Sequence, residues 1–434
     1  MPRRFRKEAR PEVGGSSGAR RGNGRLGGRT PARGVVAVGM AVVAALSLSS
    51  CGGTRVGSGS GGSGGSGGSR RSGSGAGSDA GTRSAEPALG ADHECVVGGS
   101  GAAPRVAWAQ LRNPILSEPT AGVKDQALVW ANGSWHMLFS YVTNDVPTPG
   151  AEHWDIASAT SPDLETWSAP VPWPAQAGVI GVASPDIVRS PAGVFVATFD
   201  SNPGSTSGGQ SELYYRTSTD LETWSAPQPL ALSLHPGPGD RMIDPTLAWT
   251  GNGLMLGYKY GIASGTGSAS GSASGSGSGS GSQHFEVAWS PSGSLNGPWT
   301  YVGRPDVVVD GDTVENLEFV AVSGRWRLVA TSNTFDQPWM FELSGNPAVP
   351  SSWLHWTGGR MLDIPGQSWD SGPGLSSVDY EHANSVYLCD AHAADGEYYV
   401  TYAGSNELTS FGGWGHAKIG IARSTDLVHW HVPG

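Results

Sequence analysis

Short runs of apolar and polar residues, separated by glycine-containing turns, follow one another along the chain from about residue 120 onward. In KDQALVWANGSWHMLFSY (124–141), two stretches rich in aromatic and β-branched residues flank an Asn-Gly turn, as in a β-hairpin. Similar pairs of stretches begin near residues 184, 242, 314 and 382. Helical periodicity is hard to find in any of them. The pattern therefore predicts an all-β fold made of five repeated units.

One phrase recurs within these units. SPDLETWSAP (161–170) and STDLETWSAP (218–227) differ at one position, and a looser copy, STDLVHW, begins at Ser424. Asp, Ser and Thr favour tight turns, and Trp can pack between neighbouring sheets. Repeats of about 40–60 residues with four short strands each are typical of propellers. The sequence thus predicts a five-bladed β-propeller, with this phrase as a structural turn between the third and fourth strands of a blade.

The N-terminus carries the features of an export signal. Basic residues up to Arg33 precede the apolar run GVVAVGMAVVAALSL (34–48), which leads into LSSC ending at Cys51. The run is short for a membrane span and fits a signal-peptide core. LSSC resembles a bacterial lipobox, so we expect residues 1–50 to be a lipoprotein signal peptide and Cys51 to be lipidated. The alternative is a plain signal peptide with an incidental Cys51.

Two stretches are almost entirely Gly and Ser. Residues 51–91 are expected to form a flexible tether, because such a composition buries no apolar surface. The second tract, 264–282, is expected to be a disordered loop inserted in the folded domain, 92–434. The protein would then be extracellular and anchored to the cell surface, touching the membrane only through its N-terminal lipid.

The charge distribution narrows the choice of partners. The formal net charge is −10, but the first 33 residues carry ten basic and two acidic residues, which leaves −18 for the remainder. Such an acidic protein is a poor candidate for nucleic-acid binding and suits a neutral substrate. We expect a monomer that acts on carbohydrate.

Two further cysteines, Cys95 and Cys389, lie near the two ends of the predicted domain. An exported protein meets an oxidising compartment, in which such a pair forms a disulfide. We expect this bond to tie the ends together; the alternative is two free thiols.

Acidic residues mark the first predicted strand of four units: Asp125, Asp186, Asp244 and Glu315, with His382 in the EHANS stretch of the fifth. First strands line the central channel of a propeller, and carboxylates are poor strand formers. We expect these residues to occupy equivalent positions and to converge on one pocket. The alternative is that each caps a strand or binds a structural ion.

Converging carboxyl groups suit hydrolysis of a glycosidic bond. One must protonate the leaving oxygen and another must assist the attacking water. A neighbouring carboxylate keeps the acid protonated by raising its pKa.

These motifs resemble glycoside hydrolase family 43 and its five-bladed relatives, families 62 and 32. The resemblance covers about 120–434 and rests on the strand-opening Asp125, the IDP that contains Asp244, Glu315, HANSVYLCDAHAADGEYYVTY and ARSTDLVHW. It implies Asp125 as general base, Asp244 as the residue that tunes the acid and orients substrate, and Glu315 as general acid. Gln follows Asp125 and Asn-Leu follows Glu315 where the family has other residues, and Glu318 is an alternative acid.

The remaining site predictions concern binding. We expect Asp186, Glu318, Trp130 and Trp289 to contact the sugar. The resemblance also suggests that His382 helps to hold a structural calcium in the channel, although a packed core histidine is the alternative. The chemistry itself requires no cofactor.

Three functions remain open. The first is an inverting hydrolase of arabinofuranosyl or xylosyl linkages in plant polysaccharides. The second is another propeller glycosidase, acting on fructosides, mannosides or galactosides. The third is a non-catalytic carbohydrate-binding surface lipoprotein.

Overall fold

A computed structural model of the chain describes residues 95–97, 103–143, 153–174, 181–201, 211–231, 234, 240–262, 284–309, 311, 313–332, 338–370, 381–406 and 417–434. All of them belong to a compact unit that spans Gly81–Gly434. The predicted signal peptide, with the tether after it, and the Gly/Ser loop 264–282 lie outside the described residues, as does Cys51.

The described residues form five β-sheets, each built from strands that are consecutive in sequence. This confirms the predicted all-β, five-bladed propeller. Blade one contains β1 (Val96–Val97), β2 (Gly122–Ala131), β3 (Ser134–Thr143), β4 (His153–Ser161) and β5 (Val171–Pro172); blade two contains β6 (Val182–Arg189), β7 (Phe195–Ser201), β8 (Leu213–Ser218) and β9 (Gln228–Pro229); blade three contains β10 (Asp240–Thr250), β11 (Gly253–Ile262), β12 (His284–Ser290) and β13 (Thr300–Gly303); blade four contains β14 (Val314–Val322), β15 (Arg325–Ser332), β16 (Pro338–Leu343) and β17 (Trp356–Met361); blade five contains β18 (Glu381–Asp390), β19 (Tyr398–Ser405) and β20 (Lys418–Ser424).

Helix is scarce in the described part of the chain. The 3-10 helix Pro350–Leu354 precedes β17, and the four-residue helix α1 (His392–Asp395) connects β18 to β19. No helix among the described residues is long and apolar enough to cross a membrane.

The N-terminal part of the domain closes the ring of blades. Leu116 and Ile419 of β20 exchange backbone hydrogen bonds. The side chain of Asn113 also bonds both backbone groups of Ile421. A disulfide joins Cys95 to Cys389 on β18, as predicted, with a Cα–Cα distance of 5.1 Å. Blade five is thus fastened to the segment that precedes blade one.

The repeated DLxxW phrase forms the predicted turn after the third strand of its blade. In the first copy, Asp163 Oδ1 accepts the backbone amides of Glu165 and Thr166 at 3.0 and 2.9 Å. Leu164 has a φ of +67° and its side chain is fully buried. Leu221 and Leu427 repeat this conformation. The phrase is therefore a structural element that sets a buried leucine between strands.

Large aromatic residues fill the space between blades. Phe319 of β14 packs edge-on against Trp353 at 4.7 Å and stacks on Trp356 at 5.7 Å between ring centroids. Both tryptophans are buried in one apolar cluster with Phe285 of blade three. The core therefore lies between neighbouring sheets, and the inner strands remain available to line the channel.

Each inner strand contains a β-bulge near its start, where the pairing with the second strand skips a residue. At each bulge one residue other than glycine has a positive φ: Asp125 (50°), Ser184 (53°), Asp244 (53°), Asn316 (50°) and Ser385 (51°). Asp and Asn tolerate this left-handed conformation better than most residues. Such conformations cost about 1–3 kcal/mol each and cluster at functional sites. We call these five positions the bulge residues.

Candidate active site

The five bulge residues surround one end of the central channel, which we call the mouth. They line one cavity together with the residues that follow them on each inner strand. Because every inner strand begins at this end, one backbone feature repeated five times brings five polar side chains together.

Hydrogen bonds connect the bulge residues from blade to blade. From blade one to two, Ser140 Oγ accepts the amide of Ser184 at 2.9 Å. From two to three, Asp200 Oδ1 lies 3.4 Å from the amide of Asp244. The remaining contacts are the Asn316 amide to Asp244 Oδ2 (3.1 Å), Asn316 Nδ2 to Asn384 Oδ1 (3.1 Å) and the Ser385 hydroxyl to Asp125 Oδ1 (2.7 Å). The network therefore passes through all five blades and fixes the mouth in one geometry.

Asp125 is buried and accepts hydrogen bonds at both carboxylate oxygens. Ser385 donates to Oδ1, and Ser140 donates to Oδ2 at 2.8 Å. The ammonium group of Lys124 lies 3.3 Å from Oδ1. This environment suits the predicted general base.

Glu315 does not have the environment that a general acid needs. Burial would raise the pKa of Glu315, but the ion pair with Lys259 of β11, together with Lys124 and Arg241, outweighs burial and lowers that pKa. The sequence-based expectation that Asp244 raises the pKa of Glu315 is therefore wrong for this arrangement. In the structure, the charge of Glu315 instead adds to the raised pKa of Asp244.

Asp244 and Asp200 are two carboxyl groups at the mouth whose pKa is raised. Burial raises the pKa of Asp244; Lys259 opposes this, while Glu315 and Asp125 add to it. Burial, and then Asp244, raises the pKa of Asp200 well above its usual range. The mouth thus combines a Glu315 whose pKa is lowered with two carboxyl groups whose pKa is raised, and such divergence separates acid from base in catalytic sites.

Asp186 and Glu318 lie two residues beyond the bulge residues of their strands. Both line the cavity. Because the bulge residue of blade two is Ser184, the expectation that Asp186 is equivalent to Asp125 and Asp244 is wrong. Burial raises the pKa of Asp186 to about 7, and neither of its oxygens makes a hydrogen bond of good geometry. Burial, and then Asp186, raises the pKa of Glu318, whose Oε2 accepts the amide of Leu388 at 2.7 Å.

Glu315 is also displaced from the predicted register. It precedes the bulge residue Asn316, so its counterpart in blade one is Lys124 rather than Asp125. Its side chain pairs with Lys259, from the second strand of blade three, and does not line the cavity, whereas Glu318 does.

The two tryptophans predicted to bind sugar lie at the other end of their blades. Trp130 ends β2, is buried, and packs edge-on against Trp135 at 5.3 Å between centroids. Trp289 lies near the end of β12, where it pairs with Met255 and packs against the apolar cluster of blades three and four. Neither lines the cavity, and their contact with sugar stays a prediction.

The predicted metal ligand, His382, has no described side chain. The backbone of His382 belongs to β18, but its side chain lies outside the described part. Among the described residues, no group of three or more His, Cys, Asp and Glu side chains is arranged to hold a metal ion. A calcium ion in the channel stays a prediction.

Several residues of the mouth were absent from the sequence-based predictions. Three of them lie toward the ends of the second strands of blades one to three: Ser140, Asp200 and Lys259. Each lies opposite the residue that precedes a bulge. The sequence does carry one signal for the correct register. Ser184 and Asp244 both precede proline, and aligning blades two and three on that proline would have matched these two residues.

The chain has distant structural neighbours among known proteins. No protein-family profile and no curated protein matches the chain. Among solved structures, a GH62 hydrolase in complex with xylotriose is 12% identical, covers 72% of this chain and 95% of its own, and has a TM-score of 0.48. An α-L-arabinofuranosidase from Lactobacillus brevis is 12% identical (73% and 94% covered, TM-score 0.48), and a glycosyl hydrolase from Bacteroides ovatus is 13% identical (77% and 96% covered, TM-score 0.49). At this distance we argue function from the chain's own residues.

Proposed function

We propose that this protein is a glycoside hydrolase that cleaves its substrate at the mouth of the channel. The observation that carries the proposal is the convergence of Asp125 and Asp244, from blades one and three, on one hydrogen-bonded ring that lines the cavity, with Glu315 of blade four beside Asp244. Burying a carboxyl group costs free energy, and such groups concentrate at functional sites. The raised pKa of Asp244 and the lowered pKa of Glu315 differ in the way that separates a proton donor from an acceptor.

Asp125 is the general base in this proposal. Ser140 and Ser385 each donate a hydrogen bond to its carboxylate, which orients one oxygen lone pair toward the cavity. A water molecule activated there would attack the anomeric carbon while a second carboxyl group protonates the leaving oxygen from another blade. Inversion of configuration would require the two carboxyl groups to lie about 6.5–9.5 Å apart, which leaves room for the water.

The acid role belongs to the coupled pair Asp244 and Glu315. Burial raises the pKa of Asp244, while Lys259 outweighs burial and lowers the pKa of Glu315. Strongly interacting carboxyl groups titrate as a unit, so a substrate that displaces Lys259 from Glu315 would let the proton pass to Glu315, the acid that the family resemblance implies.

The substrate class and the cellular location also belong to this proposal. The resemblance to families 43 and 62 favours arabinofuranosyl or xylosyl linkages, and the acidic folded domain suits a neutral polysaccharide. The LSSC motif would place the enzyme outside the cell as a lipid-anchored monomer.

The test is a screen of the full-length protein against nitrophenyl α-L-arabinofuranoside, β-D-xyloside, β-D-fructoside, β-D-mannoside and β-D-galactoside, together with arabinoxylan. Asp125→Asn should lower the rate on every substrate that is cleaved, by about 10²–10⁴-fold. An acid variant should damage arabinoxylan cleavage far more than nitrophenyl glycoside cleavage, because nitrophenolate leaves without a proton.

Comparing Asp244→Asn with Glu315→Gln identifies which residue donates the proton. Asp163→Asn, in a surface turn, is the matched control for loss of a carboxyl group. Cleavage that survives Asp125→Asn unchanged would refute the proposed site.

A second function is favoured by one observation, the ion pair of Glu315 with Lys259. A carboxylate held in this way cannot act as an acid, and a mouth rich in hydrogen-bonding groups could bind a sugar without cleaving it. Saturable oligosaccharide binding by calorimetry, with no product from any substrate, would establish the binding protein.

A further inference from the structure

Asp200 is a buried acid that neither the sequence motifs nor the proposed acid–base roles explain. It lies near the end of β7, is 3% exposed and pairs across the sheet with Ala183. Its Oδ1 is 3.4 Å from the amide of Asp244 in the next blade. The charged groups that face it are Asp244 and Arg241 of β10 and Asp125 of β2.

Blade one shows what the structure requires at this position. Ser140 pairs with Lys124, the residue before the bulge at Asp125, just as Asp200 pairs with the residue before Ser184. Ser140 Oγ accepts the amide of the next bulge residue at 2.9 Å. A neutral hydroxyl group is therefore sufficient to hold a bulge in its left-handed conformation.

An acid at the equivalent place in blade two adds a cost without a structural need. Blades three and four have Lys259 and Thr331 there, so among the first four blades only blade two carries a carboxyl group. Burying such a group beside two other carboxyl groups is unfavourable. A costly group at the mouth of a cleft, where a neutral one would serve, indicates a functional role.

We propose that Asp200 is a positioning residue of this site, which orients Asp244 through its backbone amide and forms with it a coupled carboxyl pair. The catalytic consequence rests on the proposed hydrolase function, whereas the coupling itself does not. In this pair, one proton is retained to a higher pH than a single buried Asp244 would allow. Asp200 therefore keeps the site in its proton-bearing form as the pH rises.

The first measurement needs no activity. Urea unfolding of the full-length protein at several values between pH 4 and pH 8 compares wild type, Asp200→Ser, Asp244→Asn and the double variant. A carboxyl group whose pKa is raised in the folded state stabilises below its ordinary pKa, and this contribution is lost as the pH rises. Wild type should therefore lose stability as the pH rises, and Asp200→Ser should remove a large part of that loss. The effect of Asp200→Ser should be smaller in the Asp244→Asn background.

The second measurement is the pH profile of kcat on the substrate found in the screen. Asp200→Ser keeps an acceptor for the Asp244 amide, so kcat near the optimum should fall less than it does in Asp244→Asn. Its alkaline limb should move toward acid by about one pH unit, since the proton of the pair is lost earlier. Asp200→Asn, which preserves the shape, should give the same shift and replaces the serine variant if that one does not fold.

Asp220→Asn, which removes an acid from a surface turn of the same blade, is the control and should leave both readouts unchanged. The proposal is overturned if the stability effect of Asp200→Ser is the same at every pH and in both backgrounds, because Asp200 would then be a structural contact only. If wild type cleaves no glycoside, the hydrolase proposal fails while the unfolding series still decides the coupling. An unshifted alkaline limb in an active enzyme would restrict Asp200 to a structural role.

Discussion

Lys259 offers a direct test of the electrostatics of the mouth. Its side chain is 3% exposed and forms an ion pair with Glu315, whose side chain is 20% exposed. Replacing Lys259 by Met keeps the length and apolar character of the stem but removes the cation. Glu315 is then left in a largely buried site close to Asp244, with Lys124 and Arg241 as the remaining positive groups.

The magnitude follows from that burial. Removing one partner of a buried ion pair costs about 3–5 kcal/mol because the other charge stays behind uncompensated. Glu315 retains some solvent contact, so we expect a loss near the lower end, about 3 kcal/mol at pH 7. A carboxyl group whose folded pKa is lowered stabilises above its unfolded pKa, and this contribution is lost as the pH falls through the folded value. The penalty should therefore shrink below about pH 4.

Urea unfolding of Lys259→Met and wild type at pH 7, 5 and 3.5 measures this effect. The control is Arg325→Met, which breaks the ion pair with Glu342; those side chains are 64% and 31% exposed. Exposed pairs contribute about 0–1 kcal/mol, so the control should change little. A Lys259→Met penalty below 1 kcal/mol at pH 7, or one that does not depend on pH, would refute the assignment of Glu315 as an ionised, buried partner.

Three further predictions concern the fold and its anchoring. Reduction of the Cys95–Cys389 disulfide, which joins residues 294 apart, should lower the free energy of unfolding by up to about 5 kcal/mol, measured by unfolding with and without reductant; equal midpoints would contradict a stabilising bond. Trp353→Ala, at a fully buried position between blades three and four, should cost about 3–5 kcal/mol, and a loss under 1 kcal/mol would mean that the cavity collapses. Cys51→Ser should release the protein from membranes or leave its signal peptide uncleaved, and fractionation identical to wild type would exclude the lipid anchor.

The blades and their turns could be predicted because the signals for them are local. Alternating apolar residues and glycine turns identify each hairpin, and Asp163 forms its turn with residues two and three positions away. The conformation of Leu164 could not be predicted, since leucine rarely adopts a positive φ. It is imposed by burial of the side chain, which depends on the complete blade.

The register of the mouth could not be predicted from the positions of the acids. A bulge adds one residue to the inner strand without changing the apolar pattern that follows. Aligning the blades on their carboxylates therefore matched Asp125 with Asp186 and Glu315, whereas the backbone matches it with Ser184 and Asn316. Asp186 lies deeper in the channel as a result.

The pairing of charges at the mouth follows from how neighbouring blades meet. The second strand of one blade lies against the next blade's inner strand at or beside its bulge, as Ser140 does with Ser184, Asp200 with Asp244 and Lys259 with Glu315. Burial raises the pKa of Asp244 and of Asp200, and Asp244 adds to the rise for Asp200, whereas Lys259 outweighs burial and lowers the pKa of Glu315. Lys259 and Glu315 are 56 residues apart in sequence, so no local pattern could have paired them. Since the residue at this position acts in addition to burial, exchanging the second-strand residues of blades two and three should lower the pKa of Asp244 and raise that of Glu315. If burial alone set each pKa, the exchange would leave both pKa values unchanged.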